Sequence, residues 1–166
     1  MALSASTNLS HPVAEVTETF VSADFLRHIS EMVGGSLVSV EQEGDVDGPF
    51  TLTVKRNIPT TRLPDIARKM LGEFLNVTQT EQWHAPEADG SRTVNVGVKI
   101  AGAPVDVAAV QKLVSEGSST RVELEGEVTS GIPFLGSKIA SAAEPMLGKA
   151  LRIQAEQAEA WIAGRA

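Results

Sequence analysis

The chain has 166 residues, 14 Lys and Arg against 21 Asp and Glu, a formal net charge of −7, three histidines and no cysteine. That length supports one core of ordinary size. The acidic balance excludes general nucleic-acid binding, which needs a basic surface against phosphates. The lack of cysteine excludes a disulfide framework, a thiol nucleophile and a thiolate zinc site. His11, His28 and His84 lie too far apart for a local metal motif. No apolar run approaches the length of a membrane span. Residues 1–20 hold no Lys, no Arg and no apolar leader core. The expected location is the cytoplasm.

In chain order, residues 2–9 are small and β-tolerant and predict a first strand. Pro12 suits the first turn of a helix, where its missing N–H costs nothing, and Val13, Val16 and Phe20 give that helix an apolar stripe. Ser22 can cap a second helix carrying Phe25, Ile29 and Met32, stopped by Gly34-Gly35. Strands are expected over 37–43 and 50–58, joined by the turn-forming Asp45-Val46-Asp47-Gly48-Pro49. A short helix over 63–71 follows, opened by Pro64 and closed by Gly72. Further strands are expected over 74–83, 93–100, 105–114 and 121–128. The last alternates Val122, Leu124 and Val128 with Arg121, Glu123, Glu125 and Glu127. Such alternation means one solvated face, hence antiparallel pairing. From about Leu135 to Ile162 the pattern is helical, with a stripe of Ile139, Ala143, Met146, Ala150, Ile153, Gln157 and Trp161. Pro145 predicts a kink or two segments.

A sheet with one apolar face needs a cover, and only the C-terminal helix is large enough. A curved sheet around one helix leaves a gap that is either filled by side chains or forms a ligand cavity. Aromatics at 4%, no Tyr and many inward Val and Ala lean towards a cavity; close helix packing is the alternative.

The order strand, two helices, six strands and long helix resembles the helix-grip fold of the START-like superfamily. That group includes lipid-transfer domains, pollen-allergen proteins, aromatic polyketide cyclases and accessory subunits of carbon-monoxide dehydrogenase. More narrowly, the chain resembles a bacterial domain-of-unknown-function family within it. The matching segments are Pro12-Val13-Ala14-Glu15-Val16, Thr80-Glu81-Gln82-Trp83, Gly102-Ala103-Pro104, Gly126-Glu127-Val128, and Ile132-Pro133-Phe134-Leu135-Gly136-Ser137-Lys138. The resemblance covers nearly the whole chain. It implies an α+β fold in which a curved antiparallel sheet of about seven strands grips the C-terminal helix, in one domain over 1–166. It also implies a hydrophobic small molecule or lipid between sheet and helix. It transfers no catalytic residue, metal or cofactor.

The inward positions make a candidate ligand-binding set of Leu52, Val54, Arg56, Val77, Gln79, Glu81, Trp83, Val96, Val98, Met146, Ala150 and Ile153. Alternation puts Gln79 and Glu81 on the face of Leu75, Val77 and Trp83, and Arg56 on that of Leu52 and Val54. Antiparallel pairing could bring Arg56 to Glu81 as a charged pair orienting a polar ligand group. The alternative is that both snorkel to water at strand ends. Trp83 either stacks on a ligand or packs in the core with its N–H at the rim, and helix-to-sheet packing is expected of Trp161. Asp45, Asp47 and Gly48 lack the further ligands of a calcium loop, and a surface position is expected of His84.

The function expected is a carrier or sensor for a hydrophobic, lipid-like molecule. Beside it stand a cyclase- or hydratase-type enzyme using cavity acids such as Glu81 and a non-catalytic accessory protein docking a partner. Lys55, Arg56, Arg62, Arg68 and Lys69 against Asp65 make residues 55–69 basic, which suits either a lid making transient contact with an anionic membrane surface or a solvated connector. The sequence is silent on oligomeric state.

Overall fold

The computed structural model describes residues 2–61, 65, 68–69, 72–101, 105–130 and 135–164. Strand β1 (Ala2–Leu9) is followed by helices α1 (Val13–Phe20) and α2 (Ala23–Met32). Strands β2 (Ser36–Gly44), β3 (Phe50–Pro59), β4 (Phe74–Trp83), β5 (Arg92–Ile100), β6 (Val105–Glu116) and β7 (Ser119–Ser130) lead into helix α3 (Leu135–Gly164). The strands form one antiparallel seven-stranded sheet in the order β1-β7-β6-β5-β4-β3-β2. The chain has an α+β helix-grip fold, as its element order implied.

Local chemistry accounts for the ends of the elements. The Ser22 hydroxyl accepts from the Phe25 N–H at 3.4 Å and caps α2. Gly34, at φ +80°, closes α2 in a conformation that disfavours side chains. Between β2 and β3 the Asp45 carboxylate accepts from the Asp47 N–H at 3.2 Å, and the Asp45 carbonyl accepts from the Gly48 N–H at 3.0 Å.

Paired residues of antiparallel strands share a face, so the register aligns inner-face rows across the sheet. One row is Phe50, Trp83, Val94, Gln111 and Leu124; the next is Leu52, Glu81, Val96, Ala109 and Gly126. Beyond them run Val54, Gln79, Val98, Val107 and Val128, then Arg56, Val77 and Ile100. The core fills one end of this face: Leu52, Val94, Leu113 and Val122 pack with Val16, Phe25, Leu151 and Ala158. Gly126 permits close β6–β7 packing there, since a Cβ would lie 2.6 Å from that of Ala109.

Several helix expectations need correction. α3 runs through Pro145 as a single helix, not two segments. Its buried face over the C-terminal half is Leu151, Ala155 and Ala158, and Ala150 is exposed, so the true stripe is rotated from the expected one. α2 buries Phe25, Leu26 and Ser30, whereas Met32 is 45% exposed. Trp161 packs against the core and on α2, edge-on to Phe25 at 5.6 Å and beside His28 at 5.9 Å. Most of the expected helix over 63–71, Gly102–Pro104 and residues 131–134 lie outside the described residues, as do the side chains of Ala143 and Met146. No helix among the described residues is long and apolar enough to cross a membrane.

Candidate functional site on the inner face of the sheet

Burial falls along the inner face from one end to the other. Phe50, Leu52, Val54, Trp83 and Val94 are fully packed, and Val77 is nearly so. Val96, Val98, Val107 and Ile100 are only half-buried, although they face the same way. The described packing of α3 is against β1, β7, α1 and α2. Apolar side chains of β5 and β6 are partly exposed on the inner side, beside the residues of β3 and β4.

A polar strip borders this apolar wall. Trp83, Glu81 and Gln79 alternate along β4, and strand periodicity turns all three inward. The Trp83 indole N–H donates to Glu81 Oε1 at 2.9 Å, and the Gln79 amide donates to Glu81 Oε2. Arg56 Nη1 in turn donates to Gln79 Oε1 at 3.4 Å. Glu81 is 8% exposed. Burial pushes its carboxyl above the ordinary range, against the lowering by the bonds from Trp83 and Gln79 and by the Arg56 charge. Burial likewise lowers Arg56, and the Glu81 charge opposes that.

The expected direct Arg56–Glu81 pair does not form. Arg56 lies opposite Val77, and Glu81 lies opposite Leu52. Gln79 bridges the two, so Arg56 has a neutral partner. Neither residue snorkels fully: Glu81 is buried and Arg56 half-buried. The Trp83 ring stacks on Phe50 at 5.3 Å, and its N–H is satisfied inside by Glu81, not at the rim.

Of the other candidates, Leu52 and Val54 are core, Ile153 is half-buried, and Ala150 lies on the exposed side of α3. The Met146 side chain is outside the described residues. His84 is exposed. No cluster of His, Asp and Glu able to hold a metal occurs among the described residues.

Arg92 is the residue that sequence reasoning missed. It is 4% exposed on the inner face, one alternation before Val94. Its Nε donates to the His84 carbonyl at 3.1 Å, Nη1 to the Val46 carbonyl at 2.6 Å, and Nη2 to the Gly48 and His84 carbonyls at 2.8 Å each. Its guanidinium sits 5.3 Å from the Phe50 ring centroid and 5.4 Å from that of Trp83. Extending the alternation of β5 back by two residues from Val94 would have flagged it.

A concavity of about 560 Å³ opens on the outer face of the sheet. Gly97 and Ala108 leave its floor flat, and Thr80, Gln82, Asn95 and Glu125 edge it.

Over 157 residues, 90% of this chain and 90% of theirs, the sequence is 26% identical to uncharacterized proteins of Mycobacterium tuberculosis and Mycobacterium bovis. A crystal structure of a Thermus thermophilus protein is similar over 96% of this chain and 98% of its own, with a TM-score of 0.59 at 13% identity. The Zhui aromatase/cyclase from Streptomyces is similar over 99% and 92%, with a TM-score of 0.51 at 11% identity. Norcoclaurine synthase from Thalictrum flavum, solved with dopamine and hydroxybenzaldehyde, is similar over 100% and 88%, also with a TM-score of 0.51 at 11% identity. These likenesses show the fold alone. The family model described as "Protein of unknown function (DUF2505)" matches residues 4–162, and the chain belongs to that family.

Proposed function

We propose that this protein is a carrier or sensor that binds a hydrophobic, lipid-like small molecule in the inner-face groove. The observation that carries the proposal is the half-buried wall of Val96, Val98 and Val107 beside the Arg56–Gln79–Glu81 strip. Ligand sites are mostly apolar with a few placed polar groups, and this groove has that composition. The fold supports the proposal, since the norcoclaurine synthase structure holds dopamine and hydroxybenzaldehyde. Dodecanol should displace a solvatochromic dye near one-to-one and raise the melting temperature; at a hundredfold excess over Kd, stabilisation is about 2.7 kcal/mol. Val98→Trp should fill the groove and weaken dodecanol binding without loss of the fold. Dodecanol affinity unchanged by Val98→Trp would contradict this assignment.

A second reading is a cyclase- or hydratase-type enzyme, favoured by the buried Glu81 carboxyl, which burial pushes above its ordinary range. Such a group can act as a general acid. Dehydration of a β-hydroxy carbonyl probe by the wild type, lost in Glu81→Gln, would separate it from a carrier.

A further inference from the structure

The two inner-face arginines differ in what they have left to bind. Arg92 spends its donors on three backbone carbonyls and lies against two aromatic rings, so it holds the β2–β3 turn to the β4–β5 end of the sheet. Arg56 has much less. Its strand neighbours are Leu37 and Val77, both apolar. Its hydrogen bond to Gln79 is long, at 3.4 Å, and the acceptor is neutral. Its Nε is buried with no partner. Among the described residues no carboxylate forms an ion pair with it. A guanidinium taken out of water without a counter-charge is costly.

We infer that the groove receives the carboxylate head of a single-tailed amphiphile on Arg56, with the tail along Val96, Val98 and Val107. The inference rests on the proposed groove and names the class of its ligand. Nη1 donates to Gln79 and Nε is closed off by its surroundings, so Nη2 is the donor nitrogen left for a ligand; no residue among those described accepts from it. A carboxylate oxygen can accept from that Nη2, and the guanidinium charge balances its own. One cation in an apolar wall balances one negative charge, so a carboxylate suits it better than a doubly charged phosphate. Glu81 does not compete: both its oxygens are occupied, by Trp83 and Gln79.

The test compares dodecanoate, dodecyl phosphate and dodecanol on the wild-type protein and on Arg56→Gln and Arg56→Lys by titration calorimetry at neutral pH. The wild type should bind dodecanoate at least tenfold more tightly than dodecanol, and more tightly than dodecyl phosphate. Arg56→Gln should bring the dodecanoate-to-dodecanol ratio to within about twofold of unity. Arg56→Lys, which keeps the charge and loses the guanidinium donors, should give an intermediate ratio. Equal binding of dodecanoate and dodecanol by the wild type overturns the carboxylate inference and leaves the groove intact. Tighter binding of dodecyl phosphate also overturns it. Failure of all three to bind the wild type overturns the groove itself. The wild-type comparison stands even if a variant does not fold.

Discussion

Glu81→Gln, followed as a function of pH, probes the polar strip through stability alone. Folding raises the Glu81 carboxyl above its ordinary value of 4.5, chiefly by desolvation. Between that value and the folded-state value, the native protein holds a proton that the unfolded chain has released. Stability from this group is therefore fully present below about pH 4.5 and is lost as pH rises through the folded value. In that window the loss approaches about 1.4 kcal/mol per pH unit, the linkage slope for one proton. The amide introduced by Glu81→Gln cannot titrate, so the wild-type minus variant difference isolates the group. Its offset is set by hydrogen bonding: the single amide oxygen can accept from Trp83 or from Gln79 but not from both. One stranded donor costs about 1–3 kcal/mol. The larger loss of about 3–5 kcal/mol that follows the breaking of a buried ion pair does not apply, since Arg56 is not paired with Glu81. Urea unfolding of both proteins at half-unit steps from pH 4 to 8 measures the difference. A difference that falls with pH and then levels supports the desolvated carboxyl. A flat difference, or one that rises with pH as for a salt-bridged carboxylate, would refute it.

Arg92→Met should cost about 3 kcal/mol or more in urea unfolding, because it strands the carbonyls of Val46, Gly48 and His84 at about 1–3 kcal/mol each, offset in part by relief of the arginine's desolvation. Gly126→Ala should lose about 1–3 kcal/mol, since its Cβ would meet the Ala108 carbonyl oxygen at 2.5 Å and β6 must shift. Trp83→Phe keeps the ring against Phe50 and removes only the N–H to Glu81. It should cost about 1–2 kcal/mol and carry the pH-dependent loss of stability to higher pH, read from the same unfolding series.

The strands were legible because alternation is a local signal. Val94, Val96 and Val98 show their shared face in any five-residue window, and the glutamates of β7 show the solvated side. The turn at Asp45–Gly48 was legible for the same reason, since its hydrogen bonds close within three residues. Register was not. Any even offset between β3 and β4 keeps Arg56 and Glu81 facing inward, so alternation cannot tell an Arg56–Glu81 pair from the observed Arg56–Val77 pairing. The acceptors of Arg92 lie 8, 44 and 46 residues away in sequence, on turns that only the folded sheet brings together. The rotation of α3 was also hidden. Alanine and leucine recur on more than one stripe of that helix, and packing against β1, α1 and α2 selected Leu151, Ala155 and Ala158 over Ala150.

The central claim is that an apolar ligand lies on the inner face of the sheet. Because successive side chains on a strand point to opposite faces, methyl groups report the face directly. Protein labelled at Val and Ala methyls should be titrated with dodecanol, and intermolecular NOEs recorded. The account predicts NOEs from the dodecanol chain to the methyls of Val96, Val98 and Val107, with Val110 and Ala108 on the outer face silent. NOEs confined to Val110 and Ala108 would place the ligand in the outer concavity and contradict the account.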